Sequence, residues 1–500
     1  MHLSGKKLQL STETKTCFLF FAAVCNCLLL LSSSAVFLLT LVSQYEIRYF
    51  CKIMEKKEAT IALGTDNIWK LLLQYAIPSV IAMTASSLYN ITDSIFIGQG
   101  VGALAISGLA ITFPLMNLGA AFGSLVGVGA ATLMSLRLGQ KDYTTANRIL
   151  GNVFILNLIL GISYSIIVLT FLDPILYFFG ASEATLPYAH DYMEIISIGN
   201  LITHMYLGLN ALLRATGKPQ KAMLTTLLSV AINAILTPIF IYGLNWGIKG
   251  AAFATMLAQT AMLIWQINIF CNKNNIIRLK KSAFRLKRRI VFDSLSIGLS
   301  PFSMNATACV IIIIINQTLT RHGGDLAVGA YGIINRVAFL FVMIVLGLNQ
   351  GMQPIAGYNY GARQTSRVYA VLRHTILLAT GVMLLGFIMG EFTPRAIASI
   401  FTPEKNLIDI AAGGLKIVFI CFPIVGFQIV TSNFFQSIGK AGKAIYLSLT
   451  RQVLFLLPCL LIFPSIWGVN GVWASIPAAD LLASINAGYL LYREYKKTKK

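Results

Sequence analysis

The sequence predicts an all-α polytopic membrane protein. Twelve core transmembrane helices form two parallel six-helix repeats, preceded by an extra hydrophobic segment at the N-terminus. Three observations carry this: a composition too apolar for a soluble chain, apolar runs of membrane-spanning length, and an internal repeat.

Of the 500 residues, 56% are hydrophobic and only 11% charged. The mean hydropathy is +0.74. A soluble domain carries about 25% charged residues. Apolar runs of about eighteen residues or more recur along the chain, each able to cross a hydrocarbon core of about 30 Å. Backbone groups inside lipid must be satisfied within their own segment, so these runs are helices. They fall at 69–97, 103–136, 149–171, 189–213, 221–242, 247–271, 293–320, 326–360, 370–392, 408–436, 443–464 and 469–492.

The halves resemble each other. Leu138-Gly139-Gln140-Lys141 matches Tyr360-Gly361-Ala362-Arg363, and Gly217-Lys218-Pro219-Gln220-Lys221-Ala222 matches Gly439-Lys440-Ala441-Gly442-Lys443-Ala444. Both are offset by 222 positions (361 − 139 and 439 − 217). Gly247-Ile248-Lys249-Gly250 matches Gly468-Val469-Asn470-Gly471 at one position less. Pro78 pairs with Pro301 in the first helix of each half. An even number of spans per repeat makes the repeats parallel. Such repeats mark transporters, with the substrate path between them near the midplane.

The net charge of +21 does not point to nucleic acid, because the basic residues sit in alternate short connections. Arg137, Lys141 and Arg148 form one set; Arg214, Lys218 and Lys221 the next; then come Lys273 to Arg289, Arg363 to Arg373, Lys440 with Lys443, and Arg493 to Lys500. Residues 171–190 hold no Lys or Arg. Positive residues favour the cytoplasmic side, which places both core termini there and the chain in the inner (cytoplasmic) membrane of a cell. Residues 273–290 read as a basic cytoplasmic linker resting on anionic headgroups. It divides an N-lobe (54–272) from a C-lobe (291–500) with a basic tail. Residues 1–53 are expected to be a non-native extension ahead of a start at Met54, the rival being a genuine extra helix. The eight cysteines include no CxxC pair and read as packing residues.

Asp93 is the most informative residue. It lies late in the first core helix, where an ionised side chain costs about 2.5–3.5 kcal/mol on insertion scales. Such a carboxylate faces a cavity and binds or relays ions; it is suited to trading a proton for another cation. The bland alternative is an interfacial Asp bonded to loop backbone. Asn233 and Thr237 are four apart and share one helix face, and Thr255 lies in the next helix. Their oxygens suit a proton or a hard cation such as sodium, although Asn and Thr also tie membrane helices together. Asp480, mid-span in the last helix, either binds a cation or pairs with a neighbour. His204 reads as an interior histidine, with a proton relay as the alternative. Asn335, Asn349, Gln350, Gln353, Asn433 and Gln436 either line a substrate cavity or bind helix to helix. Gly119, Gly123 and Gly127 form a small-residue ladder for close packing. The sequence contains no H-E-x-x-H, G-x-S-x-G or P-loop motif, which speaks against an enzyme or an ATP-driven pump.

These motifs, taken in order, resemble the multidrug and toxic compound extrusion (MATE) family over residues 65–492. The match includes Pro78, Asp93-Ser94-Ile95-Phe96-Ile97-Gly98, Arg214-Ala215-Thr216-Gly217 and Gly247 to Thr255 in the first half. In the second it includes Gln350-Gly351-Met352-Gln353-Pro354, Gly357 to Ala362, Arg451-Gln452, Gly468 to Gly471, Trp473, Pro477 and Asp480. The set looks like the bacterial DinF-like branch. The resemblance implies two six-helix bundles around a central cavity. It implies a monomer that needs no cofactor and exports small molecules, organic cations or amphipathic compounds, against inward protons or sodium. It also implies a first-lobe site that joins an acidic residue of the first helix, an Asn-x-x-x-Asp pair in the fifth and a Thr in the sixth. Asp93, Asn233 and Thr255 match; Thr237 stands where the second Asp is usual, leaving one carboxylate. A lipid-linked oligosaccharide flippase of the same superfamily would need a more cationic cavity. A non-transporting scaffold would show no ion-dependent flux.

Overall fold

A computed structural model describes residues 59–272, 275–402 and 404–499. The expectation for residues 1–53 lies outside them. The first repeat contains α1 (Ala59–Thr65), α2 (Ile68–Gly100), α3 (Ala103–Gly139), α4 (Tyr143–Thr170), α5 (Leu172–Phe178), α6 (Leu186–Ile198), α7 (Asn200–Ala215), α8 (Pro219–Pro238) and α9 (Gly247–Cys271). The second begins with a long helical stretch that Gly324 (φ 64°) breaks into α10 (Arg288–Gly324) and α11 (Leu326–Gly361). It continues with α12 (Thr365–Phe392), α13 (Pro394–Phe401), α14 (Lys405–Phe419), α15 (Phe422–Ser437), α16 (Ala441–Leu449) and α17 (Leu457–Lys499).

Twelve crossings follow from lengths and breaks. α6 and α7 form one span bent by 55°, as do α14 and α15. The helical stretch Ala441–Lys497 has 57 residues, about 85 Å at 1.5 Å per residue, far more than one crossing needs. Gly468 (φ 58°) breaks it into two. The two bends were not anticipated by the hydropathy pattern, since an apolar run looks the same whether straight or bent.

The repeat in sequence is also a repeat of backbone conformation. Of the ten left-handed positions among the described residues, eight fall in pairs: Gly102 with Gly324, Lys141 with Arg363, Gly217 with Gly439, and Gly247 with Gly468. The first three pairs are 222 apart and the last 221. Gly199 and Cys421, also 222 apart, each cap the N-terminus of the second arm of a bent span.

Glycine brings the lobes together in the half of the molecule nearer the basic turns. A Cβ on Gly351 of α11 would lie 2.6 Å from the Cα of Ala76 on α2, and one on Gly347 would lie 2.6 Å from the Cα of Val80. Gly129 of α3 packs in the same way on Ser294 and Gly298 of α10, and Gly139 on Tyr358 and Ala362. Two straps cross between lobes at this end. The carbonyl of Leu63 in α1 accepts from Asn359 Nδ2 (2.9 Å) and Arg367 Nη2 (3.2 Å). The carbonyl of Arg285, 222 positions later, accepts from Asn152 Nδ2 on α4 (3.2 Å). Glu494, buried near the end of α17, pairs with both Lys440 and Lys443.

Beyond Val80 and Gly347 the facing walls part. Leu340, seven residues before Gly347 and on the same face of α11, is 48% exposed. The two lobes therefore enclose a cleft that is closed at the basic end and open at the other. Gly351→Val should push α11 off α2 and destabilise the protein by about 1–3 kcal/mol through overpacking. Gly442→Ala, within α16 and with nothing within 4 Å of the new Cβ, should leave stability unlowered or slightly raised. Thermal unfolding of the two purified variants in detergent checks this.

Candidate ion-coupling site

Three helices of the first repeat bring the expected residues together. Late in α2, Asp93 points at α8; Asn233 and Thr237 lie one turn apart on α8; Thr255 faces them from α9. Asp93 (5% exposed), Asn233 (3%), Thr237 (0%) and Thr255 (7%) are all buried. The Thr237 hydroxyl lies 3.3 Å from Asp93 Oδ1 and 3.1 Å from Asn233 Oδ1. Asn233 Nδ2 donates to Thr255 Oγ1 at 2.9 Å. Thr255 gives its own hydrogen to the Ala251 carbonyl (3.1 Å), so Tyr89 is the donor in the 2.9 Å contact between their hydroxyls. Tyr89 sits one turn before Asp93, and nothing in its residue type singled it out; only the helix spacing places it beside Thr255.

The local chain explains the geometry. Pro238 follows Thr237 within α8, and the helix then widens into a π-turn over Ile239–Gly243. Proline lacks the N–H that the helix ladder expects, and such turns recur at functional sites. The set is confined to one repeat. Positions 222 later than Asp93, Asn233 and Thr237 are Ile315, Phe455 and Cys459.

Asp480 has a different environment. Its Oδ1 accepts from Arg451 Nε at 2.7 Å, with side chains 6% and 29% exposed respectively. Arg451 lies in a second π-turn, Thr450–Leu456. Of the two roles open to Asp480, this geometry is the pairing one. His204 is fully buried, with Nε2 2.8 Å from the Gly119 carbonyl. Gly119 and Gly123 pack on Asn200 and His204, and Gly127 on Gly208, so the small-residue ladder seats α3 on α7.

The amides divide. Gln353 donates to Thr132 Oγ1 at 2.7 Å and Gln350 to Met83 Sδ at 3.7 Å, so both join α11 to the other lobe at the closed end. Asn349 is buried with neither amide atom partnered among the described residues. Asn433 donates to the Ile429 carbonyl of its own helix (2.9 Å), and Gln436 is buried. Asn335 alone of the six is exposed, on the open half of α11. Among the described residues no cluster of three or more His, Cys, Asp or Glu side chains could hold a metal.

Residues 78–239 and 302–461 match the sequence profile of the family MatE. The chain belongs to the MatE family. Multidrug export protein MepA of Staphylococcus haemolyticus (strain JCSC1435) is 26% identical over 437 residues, 87% of this chain and 96% of that protein. MepA of Staphylococcus aureus (strain MSSA476) is 25% identical over 438 residues, with the same coverage of 87% and 96%. Among solved structures, an outward-facing multidrug resistance MATE family transporter of the MOP superfamily superimposes with a TM-score of 0.84 at 24% identity, covering 89% of this chain and 99% of that one. A MATE structure in the bent conformation gives the same values, 0.84, 24%, 89% and 99%. These likenesses show the twelve-helix fold. As a MATE protein the chain is a multi-pass membrane transporter of small molecules and not an enzyme.

The Arg451–Asp480 pair yields a stability prediction. Removing one partner of a buried pair strands the other charge and costs about 3–5 kcal/mol; partial exposure of Arg451 places this pair near the lower figure. Arg451→Leu and Asp480→Leu should each lower stability by about 3 kcal/mol, while the double variant should lose clearly less than their sum. A double-mutant cycle on detergent-solubilised protein measures it.

Proposed function

We propose that this MATE protein is a secondary active multidrug exporter that expels organic cations or amphipathic compounds by antiport, with a proton or sodium ion binding at Asp93. The observation that carries this reading is the shared hydroxyl of Thr237. It has one hydrogen and two oxygen acceptors, Asp93 Oδ1 at 3.3 Å and Asn233 Oδ1 at 3.1 Å. One hydrogen cannot serve both fully. A proton on Asp93 completes a chain in which Asp93 donates to Thr237 and Thr237 to Asn233. A bound cation satisfies the same three oxygens directly, as hard cations do. Either way the group of oxygens is one positive charge short, and an ion moving down its gradient supplies that charge.

The basic end is assigned to the cytoplasm by the positive-inside pattern. The open cleft then faces outward, in the state that releases substrate and takes up the ion. Loading Asp93 changes the contacts between α2, α8 and α9, and so the shape of the wall that holds substrate. One elementary charge crossing 100 mV supplies about 2.3 kcal/mol, equal to a concentration ratio of several tens-fold. The relatives named multidrug export proteins support the substrate breadth, and the exposed Phe339 and Leu340 give the cleft the apolar surface that broad binding uses.

The test is ethidium efflux from energised cells or everted vesicles under separately imposed proton and sodium gradients. Wild type should depend on one gradient, which names the ion. Asp93→Asn should express and fold but lose at least 10-fold in gradient-driven efflux. Gradient-driven efflux that survives the substitution would move the coupling site elsewhere, and absence of efflux of any cationic dye would remove the multidrug reading.

A further inference from the structure

Arg336 belongs to none of the interactions described so far. It lies within α11 (Leu326–Gly361), it is exposed, and no described side chain pairs with it. A guanidinium at membrane depth must reach water, headgroups or a protein partner. Which of these it reaches depends on the face of α11 it occupies.

The register of α11 answers that. Gly351 and Gly347 meet Ala76 and Val80 on α2 backbone to backbone, so this face points at the other lobe and not at lipid. Eleven residues are about three helical turns, which returns to the same face: 347 − 11 = 336. α11 has no break between these positions, since the non-helical residue of its stretch is Gly324. Arg336 therefore projects into the cleft about 16 Å above the point where the lobes touch. The depth also follows. Positions 351 and 347 face 76 and 80, so each facing pair sums to 427, and 336 stands level with 91. That is two residues from Asp93. A fixed positive charge on one wall of the cleft thus stands level with the coupling carboxylate, which is turned into the opposite lobe. Around Arg336 the wall is apolar and aromatic, with Phe339 and Leu340 exposed, and Asn335 is the neighbouring amide.

We propose that Arg336 is the specificity-determining residue for an acidic group on the substrate, so that the transporter takes amphipathic compounds bearing a carboxylate, zwitterions included, as well as simple cations. A guanidinium grips a carboxylate with two parallel hydrogen bonds, and the apolar wall receives the rest of the molecule. The proposal rests on the export reading above and deepens it. A purely cationic drug gains nothing from Arg336.

A matched pair of dyes tests this: rhodamine 110, which carries a free carboxylate, and rhodamine 123, its methyl ester. Both are measured with wild type, Arg336→Gln and Arg336→Lys, by efflux in cells and by fluorescence anisotropy on purified protein in detergent. Arg336→Gln should weaken binding and efflux of rhodamine 110 by at least 10-fold and leave rhodamine 123 within about twofold. Arg336→Lys should recover part of the loss. Equal loss for both dyes, or no loss for either, would overturn the proposal. The binding measurement separates it from the export reading. If wild type exports neither dye but binds rhodamine 110 in an Arg336-dependent way, the site stands and export fails. If both dyes are exported and Arg336→Gln leaves the carboxylate preference intact, export stands and the site fails.

Discussion

Inside hydrocarbon a polar group has no water to fall back on. Every such group in this chain must find a protein partner, an ion or an aqueous cleft, and the structure can be understood as the set of solutions. The commonest is local: Ser79, Ser135, Thr375 and Ser475 each return their hydroxyl to a carbonyl four residues earlier. The next is helix to helix, as with His204 and the Gly119 carbonyl. The costliest is the ion pair of Arg451 and Asp480. Some buried amides, Asn349 among them, have no partner among the described residues; on the reading proposed here, function rests on an oxygen cluster short of one positive charge and on an arginine that faces the cleft.

Glycine sets the relation between the lobes. At Gly347, Gly351, Gly129 and Gly139 backbone meets backbone or nearly so, and contacts of that closeness exist in one arrangement or are lost altogether. Packed interfaces of this kind behave as two-state elements and not as continuous ones. The straps from Leu63 and Arg285 close over the same end through a handful of hydrogen bonds. A rocking motion that opens this end breaks these bonds and those of Gln350 and Gln353, and separates apolar side chains of the two lobes that share one buried core.

The twelve spans were legible because length and hydropathy are properties of a run, and the repeat because four turns reuse the same left-handed residues in the same register. Asp93 was legible because a lone carboxylate in an apolar helix is conspicuous, and its partners because Asn233 and Thr237 share a face. Tyr89 was not, since a tyrosine beside many others carries no mark until the helices are packed. The bends at Gly199 and Cys421 leave hydropathy untouched. Arg336 was present in the sequence, yet its meaning depends on which face of α11 meets the other lobe, and that is settled by the glycine contacts and by no local pattern.

The two repeats share a backbone and divide the chemistry. Where the first repeat places Asp93, Asn233 and Thr237, the second has Ile315, Phe455 and Cys459, so this cluster of oxygens is not repeated there. The second repeat has its own intramembrane carboxylate, but Arg451 lies 2.7 Å from it. On the reading proposed here, the first lobe responds to the ion and the second recognises the substrate through Arg336, at the same depth in the cleft. An ion arriving at Asp93 removes a negative charge level with Arg336, and the balance of charge across the cleft shifts with it. Coupling then needs no contact between ion and substrate: both act on one cleft whose two walls are charged differently and whose closed end holds or releases as a unit.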